Sequence, residues 1–345
     1  MIYRHVDILN EAGFPAYVLH SYSPFTCTWF EHDTPVRHMF GPRVPGVREV
    51  LRGSVRGYSG LPRSLARAIG RRVGRGGDLP MTLSSDDVLA VSGVMAQGDY
   101  KVYPGVPRVI FNQGAYSTFR NWTPASNPYA RDDVLGVMTV SSDSEAYLRT
   151  AFPDRLPIVR VRYSIDPCVF SYSAAKEKRI VYMPRKNSEH AHQVLSILGL
   201  RGKLDDWDVV TIEGARQDEV ASLLRSSAVF LSFGGPEGFG LPPAEAMSAG
   251  CVVVGYHGMG GKEFFRPEFS YPVEFGDIRS YVETVEKVLD RYDRDLVGFL
   301  SVGRAASDFI QSTYSPEREA KDVVQAWTQF LARLEPYVPT PAAVG

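Results

Sequence analysis

Residues 237–250 read Glu237-Gly-Phe-Gly-Leu-Pro-Pro-Ala-Glu245-Ala-Met-Ser-Ala-Gly250, with an apolar run, Ala228 to Phe233, before them and a second, Cys251 to Val254, after them. An apolar run, a break punctuated by glycine and proline, a short helix-forming stretch and another apolar run read as strand, tight loop, helix and strand. Gly238 and Gly240 let the backbone approach a ligand where a side chain would block it. Pro242 and Pro243 suit the first turn of a helix, whose unpaired N–H groups form an anion site. Glu237 on the loop and Glu245 in or just after the first helical turn then bind hydroxyls beside the anion. A polyhydroxy ligand bearing phosphate, such as a nucleotide sugar, fits that pattern.

The same rhythm extends outward. Upstream of the motif come strand 179–183, helix 191–200, strand 208–212 and helix 218–225; downstream come helices over 278–292, 296–312 and 316–334. Nearer the N-terminus the spacing predicts a helix over 3–12 closed by Gly13 and strands over 16–20, 87–92, 108–112, 134–140 and 158–162. Ser141 stands as the cap of a helix over 145–152. Strand and helix in alternation argue for parallel sheets with helices on both faces. Residues 166–178 have no strong apolar period and read as a linker. The expected organisation is an N-terminal Rossmann-like domain over 1–166, a linker over 167–178, a second Rossmann-like domain over 179–314 and a C-terminal helix over 315–345 returning to the first. Two doubly wound domains facing across a cleft bind ligands beyond the carboxyl ends of their strands.

At 345 residues the chain exceeds what one core usually fills, and 44% hydrophobic with 22% charged residues is ordinary for a globular protein. Its net charge of −1 hides a local imbalance: between Arg37 and Arg75 stand ten arginines, no lysine and one acid, Glu49. Within it, Leu65, Ile69 and Val73 share one face of a helix expected over 61–73 and Arg63, Arg67 and Arg71 another. Such a helix suits an anionic membrane or a phosphate-linked acceptor, or packs its apolar face on the N-terminal domain. No nucleic-acid reading module accompanies it, so nucleic acid is not an expected partner. Cys27, Cys168 and Cys251 are odd in number and lack metal-ligand spacing, which argues against a disulfide scaffold and a structural zinc site and makes a reducing cytoplasm the simplest setting. No apolar stretch reaches the roughly 20 residues of a membrane span, and the N-terminus lacks the apolar core of a signal peptide.

The motif Glu237 to Met247, continued by Ser248-Ala-Gly-Cys-Val-Val-Val-Gly255, resembles the Glu-x7-Glu signature of retaining glycosyltransferases of family 4, the group 1 glycosyl transferases of GT-B fold. The segments Pro157 to Asp166 with Phe170, and Glu213 to Leu224, are similar to the stretches that enter the linker and precede the signature. The resemblance implies a nucleoside diphosphate sugar as donor and a saccharide or lipid-linked acceptor, as in cell-surface polysaccharide synthesis. It places Glu245 on the donor ribose, Glu237 against the donor sugar, and the backbone of Gly238, Phe239, Gly240 and Leu241 around sugar and diphosphate. Arg185 and Lys186, beyond strand 179–183, would carry the charge of the leaving diphosphate, although relatives place the lysine about five positions after the arginine, where this chain has His190. A solvated basic turn is the other reading of that pair. Glu213 and Gly214 fall where the base should lie. Gly258, Gly260 and Gly261 either approach the ligand or make a turn. With arginine, lysine and helix dipoles supplying positive charge, neither metal nor cofactor is expected.

In its N-terminal half the chain departs from the pattern. Relatives begin with a strand and glycine-rich loop before the helix that here starts almost at Met1, so the first strand of that domain is expected to be missing. Where many relatives carry a histidine near the donor sugar, this chain has Asn112 and Gln113, amides that can hydrogen-bond a sugar or simply make a turn. His5, His20 and His257 are other imidazoles, read as structural. Trp29, in an aromatic loop, is an acceptor-side candidate, and the Arg-rich segment 37–75 suits peripheral contact with an anionic membrane. Two other activities fit the same pattern: a non-catalytic sugar-nucleotide or glycan-binding relative, and a GT-B sugar-nucleotide epimerase.

Overall fold

The computed structural model describes residues 2–22, 27, 32–40, 81–84, 86–94, 103–120, 122–152 and 156–334. The chain divides into two compact units, Met1–Ser84 and Ser85–Gly345. In the first, α1 (Ile2–Glu11) buries His5, Val6, Ile8 and Leu9 on one face. Gly13, at a φ of +86°, lets the chain leave the helix toward β1 (Val18–Tyr22). β1 pairs in parallel with β2 (Val36–Phe40), Val18 opposite Val36. The strand at 36–40 departs from expectation, because Arg37 and His38 make that stretch read as the start of a basic segment. Trp29 and residues 41–80, including the helix expected over 61–73, lie outside the described residues.

The second unit holds two parallel sheets. Four strands, β3 (Leu89–Ser92), β4 (Arg108–Asn112), β5 (Val134–Thr139) and β6 (Ile158–Arg160), pair in that order. Every residue of β4 and β5 is buried, which explains why they read as unbroken apolar runs. Between β5 and β6 runs α2 (Ser142–Ala151), whose first turn is capped by the Ser141 hydroxyl accepting from the Ser144 amide. Val91, Ile110, Val137, Leu148 and Ile158 form the core on that side.

Five further strands follow: β7 (Glu177–Tyr182), β8 (Asp208–Thr211), β9 (Ser227–Phe233), β10 (Val252–Tyr256) and β11 (Tyr271–Pro272). The helices between and after them are α3 (Ser188–Leu200), α4 (Gln217–Ser226), α5 (Leu241–Ser248), α6 (Ile278–Arg294), α7 (Leu296–Thr313) and α8 (Pro316–Leu331). The strand order is β11-β10-β9-β7-β8, parallel throughout. The chain leaves β7 to one side and returns to β9 on the other, so the order reverses between those two strands. At that reversal the connections diverge onto opposite faces and open a crevice at the strands' carboxyl ends. α8 lies against β5 and β6, with the Phe330 ring filling the space over Gly136 and Arg162 paired to Asp322 at 2.7 Å.

Gly255 in β10 has a φ of +123°, and a side chain there would overlap both the Tyr281 hydroxyl and the Ser232 carbonyl. That space belongs to Tyr281, a fully buried ring from α6 that stacks on Phe233 at 4.8 Å and donates to the Ser232 and Val254 carbonyls. Gly255→Ala therefore combines an unfavourable backbone conformation with overpacking, and should lower the unfolding free energy by about 3 kcal/mol or more. Equal denaturation midpoints for variant and parent would contradict this.

Candidate functional site

The crevice between β7 and β9 collects the signature. The chain leaves β7 into a turn carrying Arg185 and Lys186, and leaves β9 into the loop carrying Glu237. Across the crevice Lys186 Nζ donates to Glu237 Oε2 at 2.8 Å. The pair joins two residues that the sequence placed in separate roles. Arg185 is exposed and has no side-chain partner among the described residues. Asn187, at a φ of +51°, sends its amide to the Phe233 carbonyl at 2.8 Å and ties the two turns together.

The loop after Glu237 is held from both sides. The Glu237 amide donates to the Gly258 carbonyl at 2.9 Å, and its carbonyl accepts from the Gly260 amide at 3.2 Å, a single parallel bridge to the loop after β10. Gly260 packs on the Gly238 carbonyl without room for a side chain, and Gly238 in turn faces the Gln113 carbonyl beyond β4. Gly238 is therefore glycine because another stretch of protein backbone fills the space a side chain would need, a constraint the sequence assigned to a ligand. Gly240, at a φ of +95°, turns the chain into α5. Phe239 is buried, its ring 5.7 Å from Tyr163, 5.2 Å from Phe264 and 5.1 Å from Tyr314. Packed among three other rings, it anchors the loop.

The amides of Gly238, Phe239, Gly240 and Leu241 donate to nothing among the described residues. Consecutive unpaired amides at the start of a helix attract an anion through their partial positive charge. Glu245, one turn into α5, also lacks a side-chain partner, and burial pushes its carboxyl from the ordinary 4.5 up to about 7. A half-buried carboxylate without a donor suits a ligand that brings hydroxyls to it. Gly261 is buried and gives its amide to the His257 carbonyl, while Glu213 and Gly214 stand exposed beyond β8. His257 accepts from the Met259 amide through Nδ1, and burial first and Lys262 next lower its pKa.

At the carboxyl ends of β3 and β4 lies a cavity of about 240 Å³ lined by Ser92, Gly93, Val94, Asn112, Gln113, Gly114, Ser117 and Thr118. Asn112 is committed inside the fold: its amide nitrogen donates to Thr118 and Tyr129, both at 2.8 Å, and its oxygen accepts from the Gly114 amide. Gln113 donates to the Tyr163 hydroxyl at 2.7 Å and keeps its amide oxygen open. Among the described residues no group of three or more His, Cys, Asp or Glu side chains could hold a metal ion.

Residues 200–296 match the family model described as glycosyl transferases group 1. Over its length the chain superposes on a sucrose-phosphate synthase from Thermosynechococcus elongatus with a TM-score of 0.62 at 15% identity, covering 96% of this chain and 93% of that one. It superposes on Anabaena HepE in complex with UDP and glucose with a TM-score of 0.60 at 12% identity, covering 94% and 95%. The fold is GT-B. In sequence, 100 residues are 33% identical to an alpha-1,6-glucosyltransferase of Actinobacillus pleuropneumoniae serotype 7, strain AP76. That match spans 27% of this chain and 30% of the relative's length. The segment matched by the family model includes Glu237, Glu245 and the loop after β10, while β7 and Lys186 precede it. Glu263, on that loop, is a partner-rich residue the sequence reading did not single out, since nothing in a glycine-rich turn marks the long-range contacts its last residue will make.

Proposed function

We propose that the chain is a retaining glycosyltransferase that moves a sugar from a nucleoside diphosphate donor to a saccharide or lipid-linked acceptor. The observation that carries the reading is the ion pair between Lys186 and Glu237 across the β7–β9 crevice, beside four unpaired amides that lie within the matched residues 200–296. In this scheme the diphosphate lies against the amides of Gly238–Leu241, with Arg185 and Lys186 over its charge. Glu245 accepts from the ribose hydroxyls. Glu237, released from Lys186 when that lysine turns to the phosphate, accepts from hydroxyls of the donor sugar.

Transfer breaks the bond between the anomeric carbon and the diphosphate oxygen. The acceptor hydroxyl oxygen bonds to that carbon from the same face, and its proton passes to the departing phosphate oxygen, so no side-chain base is required. Positive charge already fixed where the leaving group gains negative charge lowers the barrier, and each such contact is worth several kcal/mol. Arginine, lysine and amide dipoles supply it in this scheme without a metal. The acceptor would enter by the cavity at Gln113.

The names of the relatives make UDP-glucose the first donor to test. In a thermal-shift panel of UDP, GDP and TDP and their glucose esters, one nucleotide at about a hundredfold over its dissociation constant should stabilise the protein by about 2.7 kcal/mol. Lys186→Ala and Arg185→Ala should each weaken that nucleotide roughly tenfold by removing a charge-assisted contact. A panel in which no nucleotide shifts the melt would refute the donor site. Binding without transfer or hydrolysis would leave the non-catalytic reading, and release of an epimerised donor without acceptor the epimerase.

A further inference from the structure

We propose that Glu263 is a positioning residue that sets Glu237 and its loop in register with the four-stranded sheet, so that Glu237 meets the sugar of the donor. This rests on the reading of Glu237 given above. Glu263 closes the short 3₁₀ turn Gly260–Glu263. The front of that turn is bonded to Glu237 through the Gly260 amide and packs on the Gly238 carbonyl, so turn and signature loop move as one piece. Its far end reaches the other sheet. Glu263 Oε1 accepts from Arg160 Nη2 of β6 at 2.6 Å and from the Tyr314 hydroxyl, between α7 and α8, at 2.8 Å. Oε2 accepts from the Ser142 amide at 3.0 Å and the Ser142 hydroxyl at 2.8 Å, at the first turn of α2.

One carboxylate thus takes four donors from three separate stretches of chain, with only 11% of its side chain exposed. It occupies the helix N-terminus that would otherwise be open to an anion, and adds the guanidinium charge of Arg160 to the amide dipoles. The neighbouring pair Lys262–Asp143, at 3.5 Å with Lys262 half exposed, is too solvated to hold the turn by itself. Burial first and Glu263 next hold the Tyr314 phenol far above its usual pKa, so that hydroxyl remains a donor at any working pH.

Glutamine is the sharp test because it keeps shape and removes acceptor capacity. A carboxylate can accept on both oxygens, whereas an amide turned either way sets its NH₂ against an obligate donor, Arg160 on one side or the Ser142 amide on the other. Ser142→Ala, at an exposed position, removes one of the four contacts and is the milder variant. Hydrogen exchange should then run about tenfold faster at the bonded amides of Glu237 and of residues 259–262 in Glu263→Gln, less so in Ser142→Ala, with β9 and α6 unchanged. In equilibrium binding, the preference of the parent protein for UDP-glucose over UDP should fall toward unity in Glu263→Gln: UDP weakens less than UDP-glucose, because Glu245 still holds the ribose and the shifted amides of Gly238–Leu241 loosen the diphosphate of both ligands alike, whereas the contact of Glu237 is made to the sugar only. Unchanged exchange in the two loops overturns the proposal, as does acceleration spread evenly through β9 and α6. Faster loop exchange with the sugar preference intact overturns it as well. If the parent protein binds neither UDP nor UDP-glucose, the donor reading fails, and the exchange experiment still decides whether Glu263 holds the loop.

Discussion

At pH 8, Glu245→Gln should melt at a higher temperature than the parent protein and lose its response to nucleotide. The two effects have one cause. Burial without a donor raises the Glu245 carboxyl from 4.5 to about 7, so the folded state binds a proton more tightly than the unfolded chain between those values. Stability from this group is therefore present below pH 4.5 and is lost as pH rises through 7. Above that the charged carboxylate costs about 3 kcal/mol at most, since each tenfold gain in proton affinity on folding corresponds to about 1.4 kcal/mol and water reaching part of the side chain lessens the penalty. Glutamine removes the cost, and the difference in melting temperature should narrow as pH falls toward 5. A nucleotide whose ribose hydroxyls donate to the carboxylate supplies the missing partner and draws the pKa down, so affinity in the parent protein should rise between pH 6 and 8. Equal melting temperatures at pH 8 would show that the carboxylate is not penalised by burial. Full nucleotide affinity in the variant would remove Glu245 from the ribose.

How far the sequence could be read depended on whether a feature is local. Strands β9 and β10 were visible because parallel strands covered on both faces need apolar residues at nearly every position, as in Ala228 to Phe233. Ser141 and Pro242 announced the starts of α2 and α5 through local capping chemistry. The bond between Lys186 and Glu237 joins residues 51 positions apart, and that from Arg160 to Glu263 spans 103, so neither leaves a periodic trace. β2 escaped because pairing by main-chain bonds tolerates Arg37 and His38, which composition alone assigns to a basic segment. Gly238 was legible as a close approach, but that the Gln113 carbonyl takes the space of its missing side chain was not, since a glycine records that space is taken and not by what.

Gly238→Ala should reduce transfer far more than it reduces stability. A methyl group at 238 would overlap the Gln113 carbonyl oxygen and stand 2.8 Å from its carbon and 2.9 Å from Val140 Cγ2. None of these is the free end of a flexible chain, so the signature loop and the end of β4 must part. Parting moves Glu237 and the unpaired amides of Gly238–Leu241 relative to the cavity at Gln113, where the acceptor enters in the proposed scheme. Misplacement by about 1 Å between reacting groups costs on the order of a hundredfold in rate, while overpacking at one contact costs about 1–3 kcal/mol of stability. Transfer from UDP-glucose should therefore fall about a hundredfold in kcat, while UDP affinity falls much less, since Glu245 on the helix beyond the strained contact keeps the ribose even as the amides of Gly238–Leu241 shift under the diphosphate. Gly240→Ala separates backbone strain from crowding. Its methyl group meets Pro243 and Phe264 at ordinary distances of 3.5 and 3.6 Å, and only the φ of +95° opposes it. The cost there is about 1–2 kcal/mol, and it falls on the entry to α5, not on the distance across the crevice. If Gly238→Ala turns over at the parental rate, the contact with Gln113 does not set the spacing of donor and acceptor. If Gly240→Ala loses as much rate as Gly238→Ala, the shape of the loop matters more than its seat against β4.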